Sequence, residues 1–239
     1  MNILKTKICI LSVCILPLNA LAFKIYAPVR IQSSLVQSYT KNVIVDAYNK
    51  IGIKNAVVYY VKEAEINYRL KSGDFDAVLN KVSQESSIPN SIKISPPLIK
   101  NYTVYRWYLK GTKPKMSNIT VGIIKGVIAH TKGIIKKRAI FKKINHYNTF
   151  TELFNALKEN KIDSILLSPL AINNEIASMI KNKLVKIPKK LISFDIHHYI
   201  HKKHKLIQNK LSNEFLLRDK KNELNYMDYA KTYKSKNIN

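Results

Sequence analysis

Four histidines crowd one short stretch of the chain: His197, His198, His201 and His204. Imidazole is a common ligand for zinc, copper and nickel, so the cluster is weighed first as a metal site. On a strand His197 and His201 share one face and His198 takes the other, while His204 falls in the following helix. Asp195 is the only adjacent carboxylate and no thiolate is near. That spacing fits solvated or hinge-packing histidines better than a ligand set, and no metal is expected. Catalytic chemistry has less to work with. The sequence contains no Gly-x-Ser-x-Gly, no His-Glu-x-x-His, no phosphate loop and no dinucleotide fingerprint. The few acids fall mostly at helix or turn positions, Glu63, Glu65 and Glu85 being the first to test. A non-enzyme without a cofactor is the reading these residues support.

The elements that would position a site are announced by a doubled phrase. Leu70-Lys71-Ser72-Gly73-Asp74-Phe75-Asp76-Ala77-Val78-Leu79 returns as Leu157-Lys158-Glu159-Asn160-Lys161-Ile162-Asp163-Ser164-Ile165-Leu166. Each copy reads as a helix end, a left-handed stop at Gly or Asn, and a buried strand led by an acid, which is an α/β unit. Two copies imply two similar lobes, and a cleft between lobes is a ligand site.

The N-terminus carries Lys5 and Lys7, an apolar run from Ile8 to Leu18, then Ala20-Leu21-Ala22, the pattern of a cleavable secretory signal over residues 1–22. The run is short of the roughly 20 residues a membrane span needs. Cys14 does not read as a lipid attachment site, because Val13 stands where a small residue is wanted. Both cysteines, Cys9 and Cys14, lie inside the signal, so the mature chain has neither disulfides nor thiol chemistry. The formal net charge is +26, yet only five of the 41 basic residues are arginine and the lysines are spread along the whole chain. Directed phosphate recognition favours arginine, so no nucleic acid is expected.

Periodicity gives a short strand at Phe23 to Ala27, a helix through Leu35, Val36, Tyr39, Val43, Ile44, Ala47, Tyr48 and Ile51, and a strand from Asn55 to Val61. A helix from Glu63 to Ser72 delivers the first copy of the phrase. The order β, α, β, α, β implies a parallel sheet. Extended segments follow at Ile92 to Ser95 and Thr103 to Leu109, then a Gly-Pro-Ser linker. The pattern restarts with a strand at Ile119 to Ile124, a helix opened by Gly126, a strand at Lys143 to Tyr147, and a capping box at Thr149 to Glu152. After the second copy, Ser168-Pro169 starts a helix through about Ile180. Strands are expected at Leu184 to Ile187 and Ser193 to Ile200. Leu206, Ile207, Leu211, Phe215 and Leu216 then make the apolar face of a last helix.

The segments Leu70 to Lys81, Pro89 to Pro96, Val121 to Gly126 and Tyr147 to Ser168, with Ile200-His201-Lys202-Lys203-His204, resemble the bacterial periplasmic solute-binding proteins of family 3, the type serving amino-acid uptake. The resemblance covers essentially the whole mature chain. It implies a two-lobed α/β fold of type 2, each lobe a small sheet flanked by helices. Two hinge strands, at Thr103 to Leu109 and Ser193 to Ile200, would join the lobes and let them close on a ligand. Lobe 1 would comprise residues 23–108 and 195–239, and lobe 2 residues 109–194. The implied partners are a small-molecule solute and an inner-membrane ABC permease or sensor, for a monomer in the periplasm.

Amino-acid binders of this type hold the carboxylate with an arginine soon after the first copy and the ammonium with an aspartate at the end of the second. Here Ser83 to Asn90 contains neither arginine nor lysine, and Ser168 stands in the aspartate's place. A bidentate Arg fork fixes a carboxylate, and a serine cannot offset a desolvated ammonium, so the resemblance points away from an ordinary L-amino acid. Lobes of this kind aim the carboxyl ends of their strands at the crevice. The candidate ligand-binding residues are therefore Tyr26, Lys81, Ser83, Tyr105, Trp107, Lys125, Gly126 and Ser168, an aromatic and mildly cationic set suited to a small anionic or polar solute. The alternative is an interaction protein that has lost small-ligand binding and whose lysine-rich surface meets polyanions or a partner.

Overall fold

The computed structural model describes residues 22–28, 35–82, 88–124, 141–172 and 174–226, together with 228, 229 and 232. The expected signal segment, up to Leu21, lies outside them. Among the described residues no helix is long and apolar enough to cross a membrane.

The chain opens as β1 (Phe23–Pro28), α1 (Leu35–Lys50), β2 (Ala56–Val61), α2 (Glu63–Ser72) and β3 (Ala77–Val82). Val36, Tyr39, Val43, Ile44, Ala47 and Tyr48 recur at helical spacing and are the buried side of α1. β4 (Ser91–Lys93) and β5 (Ile99–Leu109) follow. β5 begins earlier than Thr103. Its first residues look polar in sequence because Lys100 reaches out to Asp219 and both Lys100 and Asn101 are exposed, while the Asn101 amide donates to the Asp195 carboxylate of β10.

The second half supplies β6 (Ile119–Ile124), β7 (Phe141–Tyr147), α3 (Phe150–Lys158), β8 (Ser164–Leu167), α4 (Asn174–Ile180) and β9 (Leu184–Lys186). Thr149 caps α3 by accepting from the Glu152 amide at 3.1 Å, and Glu152 reaches back to the Asn148 amide at 3.0 Å, one residue before the cap. The single helix expected from Pro169 to Ile180 is not formed. Pro169–Ala171 is a 3-10 turn, Ile172 is extended, and α4 starts afresh. β10 (Ile192–His201), a 3-10 turn at Lys202–His204 and α5 (Lys205–Lys220) complete the described elements. α5 buries Leu211 and Phe215, but Leu206 and Leu216 are exposed and do not join the core face expected of them.

One sheet path runs β2-β1-β3-β10-β5-β8-β6-β7, with β4 added on β10 and β9 on β5. β1 pairs in parallel with β2 and β3, and β6 in parallel with β7 and β8. β10 is antiparallel to β3 and β5, and β5 is antiparallel to β8. β5 changes partner mid-strand: Val104 faces Ile192 of β10, and the next residue, Tyr105, faces Leu167 of β8.

The structure explains the doubled phrase residue by residue. Gly73 (φ 77°) and Asn160 (φ 56°) both stop their helices in the left-handed region. Asp76 then accepts from the Lys24 amide at 2.8 Å, and Asp163 from the Thr120 amide at 2.8 Å. The backbone closes the same ring in reverse, Asp76 N–H to Lys24 O and Asp163 N–H to Thr120 O. Each acid thus pins its strand to the first strand of its own half. Phe75 and Ile162 are buried at matching positions.

A cluster on one side of the sheet runs from Ile25, Ile44 and Leu79 to Val121 and Leu166. Tyr26, Phe75 and Val78 pack against Ile66 and Leu70 of α2, and Ile162 and Ile165 against Leu153 and Leu157 of α3. α3 comes so close to β6 that a Cβ on Gly122 would stand 2.3 Å from Leu153 Cδ1 and 2.5 Å from Ile162 Cδ1. This glycine of the motif Val121 to Gly126 therefore serves helix packing.

Candidate functional site

The registers fix where the strands point. β1, β2 and β3 run in the same sense as β5, and β6, β7 and β8 run against it. The first group lies beside the start of β5, where Val82 is level with Ile196 and Ile196 with Ile99. The second group ends at its middle, where Leu167 is level with Tyr105. The carboxyl ends of the two groups of parallel strands therefore face each other. Between them lies the stretch from Ile99 to Tyr105, six residue steps or about 20 Å of extended chain. The turn at Ser168 follows β8 at this gap, and segments 29–34, 83–87 and 125–140, which follow β1, β3 and β6 in the sequence, lie outside the described residues. Ser83, Lys125 and Gly126 fall in those segments.

The floor of the gap is the ribbon of β5 and β10. Tyr102 and Phe194 stack with ring centroids 5.2 Å apart. Thr103 and Ser193 join hydroxyls at 3.0 Å. A second connection runs beside β5 at the point where it changes partner: Leu191 N–H donates to Val104 O and Ile187 N–H to Arg106 O. Two chain segments thus cross together between the two groups of strands.

The described candidates divide into one group and two separate residues. Tyr105, Trp107 and Ser168 come together through the β5–β8 pairing. Trp107 Nε1–H donates to Leu167 O at 3.0 Å, and its ring packs on the cluster beneath α3. Lys186 Nζ sits 4.5 Å from the Tyr105 ring centroid, so that half-exposed phenol already carries a cation on its face. Ser168 is buried, caps the 3-10 turn by accepting from the Leu170 amide at 3.3 Å, and bonds the buried Tyr102 hydroxyl. Burial pushes the Tyr102 phenol up to about 12, against the lowering effect of Ser168.

Tyr26 and Lys81 stand apart from that group and from each other. Tyr26 is buried beneath α2 with Arg69 4.8 Å above its ring, and burial raises its phenol although Arg69 pulls the other way. Lys81, by strand alternation, belongs to the opposite face, and is buried level with His197 on β10. Tyr102 was among the aromatics of β5 that sequence reasoning offered as a wall of the cleft, while it missed Lys186 and the Thr103–Ser193 pair. Only the aromatic and hydroxyl content of β5 pointed towards them.

The histidines are held by separate partners. His197 Nδ1 bonds Ile94 O at 2.9 Å. His198 Nδ1 lies 3.1 Å from Leu79 O and Nε2 2.8 Å from the Tyr48 hydroxyl. A carbonyl only accepts, so Nδ1 carries the proton and Tyr48 donates to Nε2. His201 accepts from the Lys203 amide, and His204 bonds Asp76 at 2.6 Å. Among the described residues no group of three or more metal-ligating side chains is assembled.

No protein-family model matches the chain, and no curated protein matches it in sequence. Solved structures do. The ligand-binding core of GluR0 in complex with L-glutamate superposes with a TM-score of 0.69 at 10% identity, over 90% of this chain and 98% of that one. The arginine-binding protein of T. maritima, as its P235GK mutant, gives 0.65 at 13% identity, over 90% and 95%. The periplasmic VFT2 domain of Bordetella pertussis BvgS gives 0.61 at 12% identity, over 82% and 87%. The chain has the type 2 periplasmic-binding-protein fold. In this fold the facing strand ends and the double crossing beside β5 take on meaning together: the gap is where its two sheets meet, and the crossing is the connection about which they are joined.

Proposed function

We propose that the protein is a periplasmic solute-binding protein that captures a small polar or anionic solute between two lobes and presents it to an ABC-type transporter or a sensor. The observation that carries the reading is the convergence of the carboxyl ends of β1 and β3 with those of β6 and β8 on one gap, bridged by the paired crossing of residues 99–109 and 187–196. Lobe 1 would comprise residues 23–108 and 195–239, and lobe 2 residues 109–194, with the signal of residues 1–22 removed on export. Closure would bring the Lys81 side of the gap towards Tyr105, Lys186 and Ser168; Ser83, Lys125 and Gly126 remain candidates from the sequence. Tyr26 and Trp107 contribute from beneath, as packing that fixes the walls.

The cargo is not an ordinary L-amino acid. Ser83 to Asn90 offers no cation, and the Ser168 hydroxyl is already engaged by the Leu170 amide and by Tyr102. The structural neighbours support the coarse reading, because arginine- and glutamate-binding proteins and a sensor domain share the fold; their ligands are their own. A ligand that binds only the folded state raises its melting temperature. The test is a thermal-shift screen of organic acids, amines, sugars, amino acids and short peptides on the purified mature protein, paired with native mass spectrometry for carried-over solute. A saturable rise that disappears when Lys81 or Tyr105 is replaced supports the reading; no shift with any class sinks it.

A further inference from the structure

α5 has two apolar sides and, among the described residues, only one of them is packed against the core. α5 turns Leu211 and Phe215 into the core, and Arg218 beside them is held by Glu214 and Asp46. The opposite arc carries Leu206, 92% exposed, with Leu217 at 54% and Leu216 at 43%. Leu206 and Leu217 are separated by about three turns, so they lie one above the other, about 16 Å apart along the axis. Between and beside them the same arc presents Lys205, Asn209, Lys210, Asn213 and Lys220, all exposed.

Charge is sorted around this helix as sharply as apolarity. Both acids of α5 are drawn to the body of the protein: Glu214 binds Arg218 and Lys50, and Asp219 binds Lys100 at 2.8 Å. The outer arc keeps three lysines and no carboxylate. Among the described residues none of Lys205, Lys210 and Lys220 has a salt-bridge partner. A stripe of leucine flanked by lysine, with every acid on the other side, matches one kind of surface: apolar just beneath a layer of negative charge. Nucleic acid offers the charge without an apolar layer for a leucine that is almost wholly exposed.

We propose that the outer face of α5 docks on the surface of an anionic phospholipid bilayer, with Leu206 and Leu217 entering the headgroup boundary and Lys205, Lys210 and Lys220 meeting phosphates. The helix lies along the surface and does not span it. The gap described above takes no part, so this docking and the proposed solute capture stand or fall separately.

The test is sedimentation of the mature protein with vesicles of phosphatidylglycerol and phosphatidylcholine in equal parts, beside vesicles of phosphatidylcholine alone, lipopolysaccharide micelles and duplex DNA. The mature protein is expected to sediment with the anionic vesicles, less so as salt is raised, and to leave phosphatidylcholine vesicles in the supernatant. The double variant Leu206→Ser/Leu217→Ser, whose side chains are outside the core, should keep its melting temperature and partition about ten-fold more weakly. Lys210→Glu/Lys220→Glu should weaken binding similarly and lose the salt dependence. Equal binding to neutral vesicles, binding to DNA or to lipopolysaccharide without binding to the phospholipid vesicles, or leucine variants that partition like the parent would each overturn the assignment.

Discussion

Lowering the pH from 6.5 to 4 is expected to destabilise the protein through one buried side chain. His198 is inaccessible to solvent, donating from Nδ1 to Leu79 O and accepting at Nε2 from Tyr48. Burial pulls its imidazole down to about 4, against the smaller raising effect of the backbone bonds. Because the folded value is below the unfolded one, near 6.5, the unfolded chain holds the extra proton between them and stability rises with pH across that window. The contribution is complete above about pH 6.5 and lost as the pH falls towards 4. A gap of roughly two and a half units at 1.36 kcal/mol each gives about 3 kcal/mol. His197 and His201 are shifted down mainly by burial as well and add in the same direction. The depressed Asp76 works at lower pH, below the usual carboxylate value, because its contribution fades only as it protonates. The assay is urea unfolding at half-unit pH steps for the parent and for His198→Gln, which cannot titrate. The parent curve should fall more steeply by about 1 kcal/mol per unit between pH 6 and 4.5. Parallel curves in that range would refute the assignment of the slope to His198.

The other expectations concern the two halves of the repeat and their packing. Ser164 occupies the position that Ala77 holds in the first copy, and its Oγ is buried with no hydrogen-bond partner among the described residues, so Ser164→Ala should raise the melting temperature, worth about 1 kcal/mol. Gly122→Ala drives a methyl into Leu153 and Ile162 and should cost about 1–3 kcal/mol, read from the denaturation midpoint at unchanged m-value. Asp76→Asn removes the carboxylate held by the Lys24 amide, Lys203 and His204 and should cost about 2 kcal/mol; Asp163→Asn should cost less, because its cation Lys115 is largely exposed. Calorimetry on the pair of variants decides the ranking, and the reverse order would contradict the account of the two pins.

Much of the fold was legible in the sequence where local chemistry and burial agree. The left-handed stops at Gly73 and Asn160, the helical spacing of α1 and the cap at Thr149 each satisfy backbone groups with residues a few positions away. Long-range bonds left no such trace. β5 extends back to Ile99 because β10 pairs with it, a partner far along the chain. Pro169 marked a helix start correctly but not its length, since propensity does not report that Ile172 turns extended. Leu206 and Leu216 matched a helical apolar period that is wider than the face α5 buries, so periodicity alone assigned them to the core. Of the site, the strand-end positions were readable, but not that Ser168 is already spent on Leu170 and Tyr102, nor that Lys186 rests on Tyr105.

The two copies of the phrase diverge along their length in a way that follows from their orientation. Asp76 and Asp163 make matching bonds at the amino ends of β3 and β8, the ends remote from the gap. One step on, Ala77 and Ser164 are both fully buried but differ in whether a hydroxyl is stranded. At the far end Lys81 and Ser168 occupy equivalent positions and share nothing. The first copy continues as strand to Val82 with a buried lysine level with His197, while the second turns at once into the 3-10 turn at Pro169. A bond that holds two strands of one sheet has the same task in both halves, so the same acid serves twice. Groups that meet a solute across a gap have different atoms to meet from each side, and an asymmetric cargo is matched by asymmetric walls. The likeness of the copies therefore carries the architecture, and it ends at Lys81 and Ser168, where the proposed recognition would begin.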